Sequence, residues 1–194
     1  MTTLTQTQTT ASIEDYLEVE QHTDIKHEYL GGQIVAMGGA SDRHGLIGLS
    51  LAALLHPHAR SKACQLFMGD MKVRVDHDGD SYFYYPDLLL SCNPADKEHA
   101  YYRRHPCLLV EVLSPTTERI DTREKLLAYR LLPSLREYLL LRQDRVQADL
   151  YQLGDEGRWQ HTVFTQADEM LALRCLDVAV SLRDVYADMP ELLA

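Results

Sequence analysis

Positive charge is scarce in this chain, and so are long hydrophobic runs. Its 194 residues hold 19 lysines and arginines against 29 aspartates and glutamates, a net charge of −10. That balance excludes a protein that coats nucleic acid or anionic membrane by bulk electrostatics. It leaves room for a local basic face, or for a metal ion that supplies the missing positive charge. The longest apolar stretch of helical character, Leu46–Leu55, is too short to span a bilayer. Cysteine is sparse as well. Cys64, Cys92, Cys107 and Cys175 contain no Cys-x-x-Cys pair, which removes a zinc ribbon or a dense disulfide framework and predicts buried free thiols in a reducing cytoplasm. The opening Met1–Thr10 has neither a basic start nor an apolar core, so it does not read as a secretion signal, and residues 1–11 are expected to be a disordered tail. No H-E-x-x-H, G-x-S-x-G or G-x-x-x-x-G-K-[ST] string occurs, which leaves zincin, serine-hydrolase and P-loop chemistries without support.

What is present is ordinary globular material, with 45% apolar and 25% charged residues. Ser12 and Asp15 suggest a capped helix bearing Ile13, Tyr16 and Leu17, and the runs on either side of Gly31-Gly32 suggest a hairpin. Ser41 or Asp42 can cap a second helix that Pro57 is expected to end. Strands are predicted at Gln65–Met68, Met71–Val75, Tyr82–Ser91 and Cys107–Leu113, the last two dense enough in apolar residues to be buried on both faces. Pro86 interrupts the third of these and sets where pairing can begin. Ser114–Thr117 then opens a helix with Ile120, Leu127 and Leu131 on one side, stopped by Pro133. Tyr138–Leu141 reads as a further buried strand, and Val146–Leu153 with Trp159–Phe164 as a closing hairpin around Gly154–Gly157. The cluster Asp76–Ser81 imitates the start of a calcium loop, but Ser81 stands where that loop requires glycine, so a plain turn is expected.

Two carboxylates stand in apolar surroundings. Asp87 precedes Leu88-Leu89-Leu90, and Glu111 sits inside Leu108–Leu113. Burying an unpaired carboxylate costs several kcal/mol, so such groups are paired, protonated or metal-bound. Arg103 or Arg104 could pair with one of them structurally. Lys125 lies four residues after Asp121, on the same helical face, either as an exposed ion pair or as an ammonium carried over the end of the Glu111 strand.

These residues lie within longer strings: His27–Gln33, Arg43-His44-Gly45, Tyr85-Pro86-Asp87, Leu109–Pro115, Asp121–Lys125 and Glu137–Leu140. Over about Ser12 to Tyr186 they resemble the Uma-type restriction-endonuclease family, within the PD-(D/E)XK superfamily. The resemblance implies an α/β domain over residues 12–190, built on a mixed sheet. Its αβββαβ core would be preceded by a helix and hairpin and followed by a C-terminal hairpin. It further implies a Mg²⁺- or Mn²⁺-dependent endonuclease on DNA, with Asp87 and Glu111 as metal-binding acids and Glu28 as a third. Lys125 would act in catalysis, and His44 and Arg123 would touch substrate. The position two after Glu111 is Leu113, where the general motif has lysine; Lys125 would replace it in function. The alternative is a nuclease scaffold that binds nucleic acid or protein without cutting. A cytoplasmic homodimer without membrane contact completes the expectation. Residues 103–145 carry nine basic and six acidic side chains, a net +3, so the rest of the chain carries −13 and the candidate site lies in the locally basic segment.

Overall fold

The computed structural model describes residues 10–115 and 118–193. The expected tail lies largely outside that range. At its boundary, Ala11 N–H donates to Gly32 O at 2.9 Å and Ala11 O accepts from Tyr29 Oη at 2.9 Å, so the chain is already tied to the body there.

Helix α1 (Ile13–His22) starts at Ser12, whose hydroxyl accepts from Asp15 N, as its sequence predicts. Strands β1 (His27–Leu30) and β2 (Gln33–Ala36) form the expected hairpin, whose two turn residues Gly31 and Gly32 both have positive φ. Helix α2 (Asp42–Ser61) is capped by Ser41 and runs through Pro57 for another turn. The proline lies on the solvent face, and the buried stripe Ile47, Leu51, Leu55, Ala59 continues past it on the other side.

Next come β3 (Gln65–Met68), β4 (Lys72–His77), β5 (Asp80–Tyr84), β6 (Leu88–Ser91), β7 (Tyr102–Arg103) and β8 (Leu108–Leu113). The tight turn between β4 and β5 is Asp78-Gly79, both at positive φ, so the calcium-loop imitation is a hairpin. The single run Tyr82–Ser91 is two strands in different sheets, with Tyr85-Pro86-Asp87 as the crossing between them. A π-helical segment, Ile120–Lys125, leads into the short helix α3 (Leu126–Tyr129), and then follow β9 (Glu137–Arg142), β10 (Ala148–Leu153) and β11 (Trp159–Phe164). Beyond the sequence expectation lie β12 (Met170–Leu173), β13 (Val178–Ser181) and helix α4 (Leu182–Val185).

Two sheets carry the architecture, ordered β2-β1-β5-β4-β7 and β11-β10-β9-β8-β6-β3; β12 and β13 form a separate ribbon. The second sheet is mixed, since β8 runs parallel to β9 and antiparallel to β6. The alternation of side chains along a strand explains its continuous apolar sequences. Leu88, Leu90, Leu108, Val110, Val112, Leu139 and Leu141 pack on one face with α2 and α4. Leu89, Leu109, Leu113, Tyr138 and Leu140 pack on the other with Val73, Tyr84 and Tyr129. Glu111 shares the parity of Leu109 and Leu113, so it points into this second layer.

The segment after β8 buries a different face from the one its apolar residues suggest. Ile120, Leu127 and Leu131 are exposed, Leu127 by 65%, while Asp121, Lys125 and Tyr129 are buried. The chain ends this helix at Tyr129, before Pro133 can do so. Its exposed leucines line an open cleft of about 500 Å³ together with Leu30, Tyr82 and Tyr84. The expected cap residues Thr116 and Thr117 lie outside the described residues.

The thiols depart from expectation as well. Cys64 and Cys92 are joined in a disulfide, which ties the end of α2 to the end of β6; Cys107 and Cys175 remain free. Widely spaced cysteines carry no pairing information until the fold brings them together.

Candidate active site

Neighbouring strands β6 and β8 set the first two acids. In this antiparallel pair Leu88 faces Val110, which places Asp87, just before β6, beside the last turn of β8. The Asp87 carboxylate Oδ2 accepts Val112 N–H at 2.6 Å and lies 3.2 Å from His44 Nε2. His44 comes from the first turn of α2, held by the Ser41 cap. Its pKa is raised, chiefly by the hydrogen bond to Asp87, with burial opposing and the Val112 backbone assisting. Neither Arg103 nor Arg104 pairs with these acids. Arg104 binds Asp76, and Arg103 is turned to the backbone of His99 and Tyr102.

Glu111 is 3% exposed, and its Oε1 accepts from Lys125 Nζ at 3.2 Å and from Tyr129 Oη at 2.9 Å. Lys125 is the hub. Its Nζ also lies 3.1 Å from Glu28 Oε1 and 3.2 Å from Asp121 Oδ1. Glu28 arrives from β1 in the other sheet, where Tyr85 N–H donates to the same Oε1 at 3.4 Å. The ammonium therefore joins both sheets and the π-helical segment. Asp121 Oδ1 is a buried oxygen with an ionic neighbour but without a hydrogen-bond partner among the described residues. The pair that reads in sequence as an exposed i,i+4 contact is buried on both sides. A π-helical turn is a frequent device at functional sites. Here it puts Asp121, Lys125 and Tyr129 on the inner face of the segment.

Charge does not balance in this cluster. Four carboxylates (Glu28, Asp87, Glu111 and Asp121) surround Lys125 and His44. Burial pushes the Glu111 carboxyl well above the usual range; Lys125 pulls it down, and Asp121, Asp87 and Glu28 push it further up. Burial opposes the Lys125 ammonium, but Glu111, Glu28 and Asp121 outweigh it and raise its pKa, so it stays charged. Burial and then Glu111 hold the Tyr129 phenol protonated, fixing it as a donor. Excess buried negative charge of this kind attracts a proton or a cation.

The structure thus brings Asp87, Glu111, Lys125, Glu28 and His44 into one continuous cluster. Arg123 is exposed and takes no part in it, being two residues away from the buried face. The sequence reading missed Tyr129, which carries no motif signal beyond its i+4 spacing from Lys125. It treated Asp121 only as a surface partner, although i,i+4,i+8 spacing from Asp121 through Lys125 to Tyr129 marks one face. Among the described residues no group of three or more His, Cys, Asp or Glu side chains is arranged as a metal cage. The centre of the carboxylates is a lysine.

Known proteins resemble this chain in sequence and in fold. The family model described as "Uma2: Putative restriction endonuclease" matches residues 13–184. A protein of Synechocystis, slr1290, is 35% identical over 175 residues, 90% of each chain; a second, sll1609, is 29% identical over 146 residues, 75% of this chain and 82% of its own. Both are described as uncharacterized. A crystal structure described as a putative nuclease belonging to DUF820, from Anabaena variabilis, superposes with a TM-score of 0.73. It covers 91% of this chain and 98% of its own at 15% identity, a likeness of fold.

Proposed function

The chain belongs to the Uma2 family of restriction-endonuclease-like proteins, and from that premise we propose that it hydrolyses DNA phosphodiester bonds as a divalent-metal-dependent endonuclease. The observation that carries this reading is the surplus of buried carboxylates around Glu111. Hard oxygen donors suit Mg²⁺ or Mn²⁺, and Asp121 Oδ1, which has an ionic neighbour but no hydrogen-bond partner among the described residues, lies in an over-acidic cluster that fits a further cation. Asp87 and Glu111 would hold it, with Glu28 as a third acid. A metal bound there would polarise the scissile phosphate and lower the pKa of an attacking water. The protein's own groups do the remainder. Lys125, permanently charged, stabilises negative charge developing on the phosphate. Tyr129 and the Val112 N–H fix the orientations of Glu111 and Asp87. His44, held on Asp87, would contact a phosphate oxygen, and exposed Arg123 would meet DNA outside the cluster.

No helix of the described residues is long and apolar enough to cross a membrane. We place the protein in the cytoplasm as a homodimer, in which two sites would suit the two strands of a duplex. The acidic surface supports weak, locally guided DNA binding with a shallow salt dependence.

One observation favours the second reading, a scaffold that binds without cutting. Lys125 already pairs with Glu28, Glu111 and Asp121 from within and occupies the centre of the carboxylates. The test is incubation with supercoiled plasmid and with single-stranded DNA in Mg²⁺ or Mn²⁺, beside Asp87→Ala and Glu111→Ala. Metal-dependent cleavage that both substitutions abolish supports the nuclease. Absent cleavage, or cleavage equal in all three proteins, rejects it.

A further inference from the structure

At the end of the sheet away from the carboxylates, the fold gathers all four cysteines. Cys92 follows β6, Cys107 precedes β8, Cys64 precedes β3, and Cys175 sits in the turn between β12 and β13. Cys64 and Cys92 form the disulfide. Cys107 Sγ stands 3.8 Å from Cys92 Sγ, in van der Waals contact with a bonded sulfur, and Cys92 is exposed to solvent. Cys175 Sγ donates to Cys107 O at 3.1 Å.

We propose that this is a thiol–disulfide exchange site in which Cys107 is the internal nucleophile. Its thiolate attacks Cys92 Sγ, a Cys92–Cys107 bond forms, and the Cys64–Cys92 bond breaks with its electron pair leaving on Cys64. Cys107 gives up one proton to solvent and Cys64 takes one up, so the step needs neither oxidant nor reductant. Three features favour Cys107 in that role. Its backbone is clamped beside Cys92, with N–H on Leu90 O at 2.8 Å and its carbonyl accepting from Arg136 N and Glu137 N at 2.9 and 3.0 Å. The side-chain interaction with neighbouring Cys175 lowers its pKa against the opposing effect of burial, which raises the thiolate fraction. Cys175 is itself positioned, since its N–H donates to the buried Glu137 Oε2 at 2.9 Å. The consequence of exchange is a change of tether: the disulfide would leave the α2–β6 seam and staple β6 directly to β8, whose far ends carry Asp87 and Glu111, and it would free the Cys64 thiol for exchange with an external disulfide.

The test is iodoacetamide trapping of the native, unreduced protein at neutral pH, followed by acid quench, digestion and mass mapping of linkages. Accumulation of a form alkylated on Cys64 and linked Cys92–Cys107 is expected in wild type and is lost in Cys107→Ser, whose Cys64–Cys92 bond stays closed. If Cys64 remains closed in wild type while Cys107 and Cys175 are alkylated, the proposal fails. It fails equally if Cys64 opens as fast in Cys107→Ser. Circular dichroism accompanies each sample, and if the serine variant does not fold the wild-type map decides alone. The outcome is independent of nuclease activity.

Discussion

Two glutamates in adjacent parallel strands, Glu111 in β8 and Glu137 in β9, are equally buried yet live under different chemistry. Glu137 faces neutral donors: Gln152 Nε2 at 2.7 Å and the Arg174 N–H at 2.8 Å on one oxygen, the Cys175 N–H at 2.9 Å on the other. It closes the turn between β12 and β13 and has no ion pair among the described residues. Asp96 plays a similar part, accepting from Ser91 Oγ and from the Arg104 andHis105 backbone. Glu111 instead shares one ammonium with Glu28 and Asp121 and has Asp87 nearby. A buried carboxylate saturated by backbone donors holds the fold. One that competes with other carboxylates for too few cations is costly to the fold, and that cost makes it a candidate for function.

The contrast can be broken by substitution. Glu137→Ala removes the acceptor from two backbone N–H groups and one amide, and should lower stability by about 3–5 kcal/mol in denaturant unfolding. Glu111→Gln should reduce metal-dependent cleavage on the order of 10²–10³-fold, as loss of a transition-state-stabilising group does, with an unfolding midpoint unchanged or raised. Lys125→Met strands three buried acids and should cost about 2–3 kcal/mol near neutral pH, because part of the penalty is relieved by proton uptake. Acidification or added Mn²⁺ should restore that loss.

A smaller effect follows from the raised pKa of Glu111. The native state keeps this proton to a higher pH than the unfolded chain does. Above the ordinary glutamate value, stability therefore falls as pH rises towards the native pKa. Comparing midpoints across that range, wild type should show this slope and Glu111→Gln should lack it. Smallest of all, Leu127→Ser on the exposed side of the same helix should change stability by no more than about 0.5 kcal/mol.

Much of this was legible in the sequence, and where it was not the reason is physical. The acids Asp87 and Glu111 stand out because their neighbours are apolar, and the two-residue hairpins announce themselves through Gly31-Gly32 and Asp78-Gly79. The helix after β8 misleads, since amphipathic patterning assumes that the apolar side goes inward. Here the inward side carries Asp121, Lys125 and Tyr129, and Leu127 is left outside. Pro57 misleads similarly, because the packing of Ile47, Leu51, Leu55 and Ala59 carries the helix past it to Ser61. The pairing of Cys64 with Cys92, and the meeting of Glu28 with Lys125 across two sheets, are long-range facts that no local pattern encodes.

The most direct test of the account is calorimetric titration of Mn²⁺ into the wild-type protein and into Glu111→Gln, both shown to be folded. Saturable binding to the wild type that is lost in the variant is the result predicted. A wild-type protein that binds no Mn²⁺, or a variant that binds it equally well, would contradict the claim that the carboxylate surplus at Glu111 is a cation site.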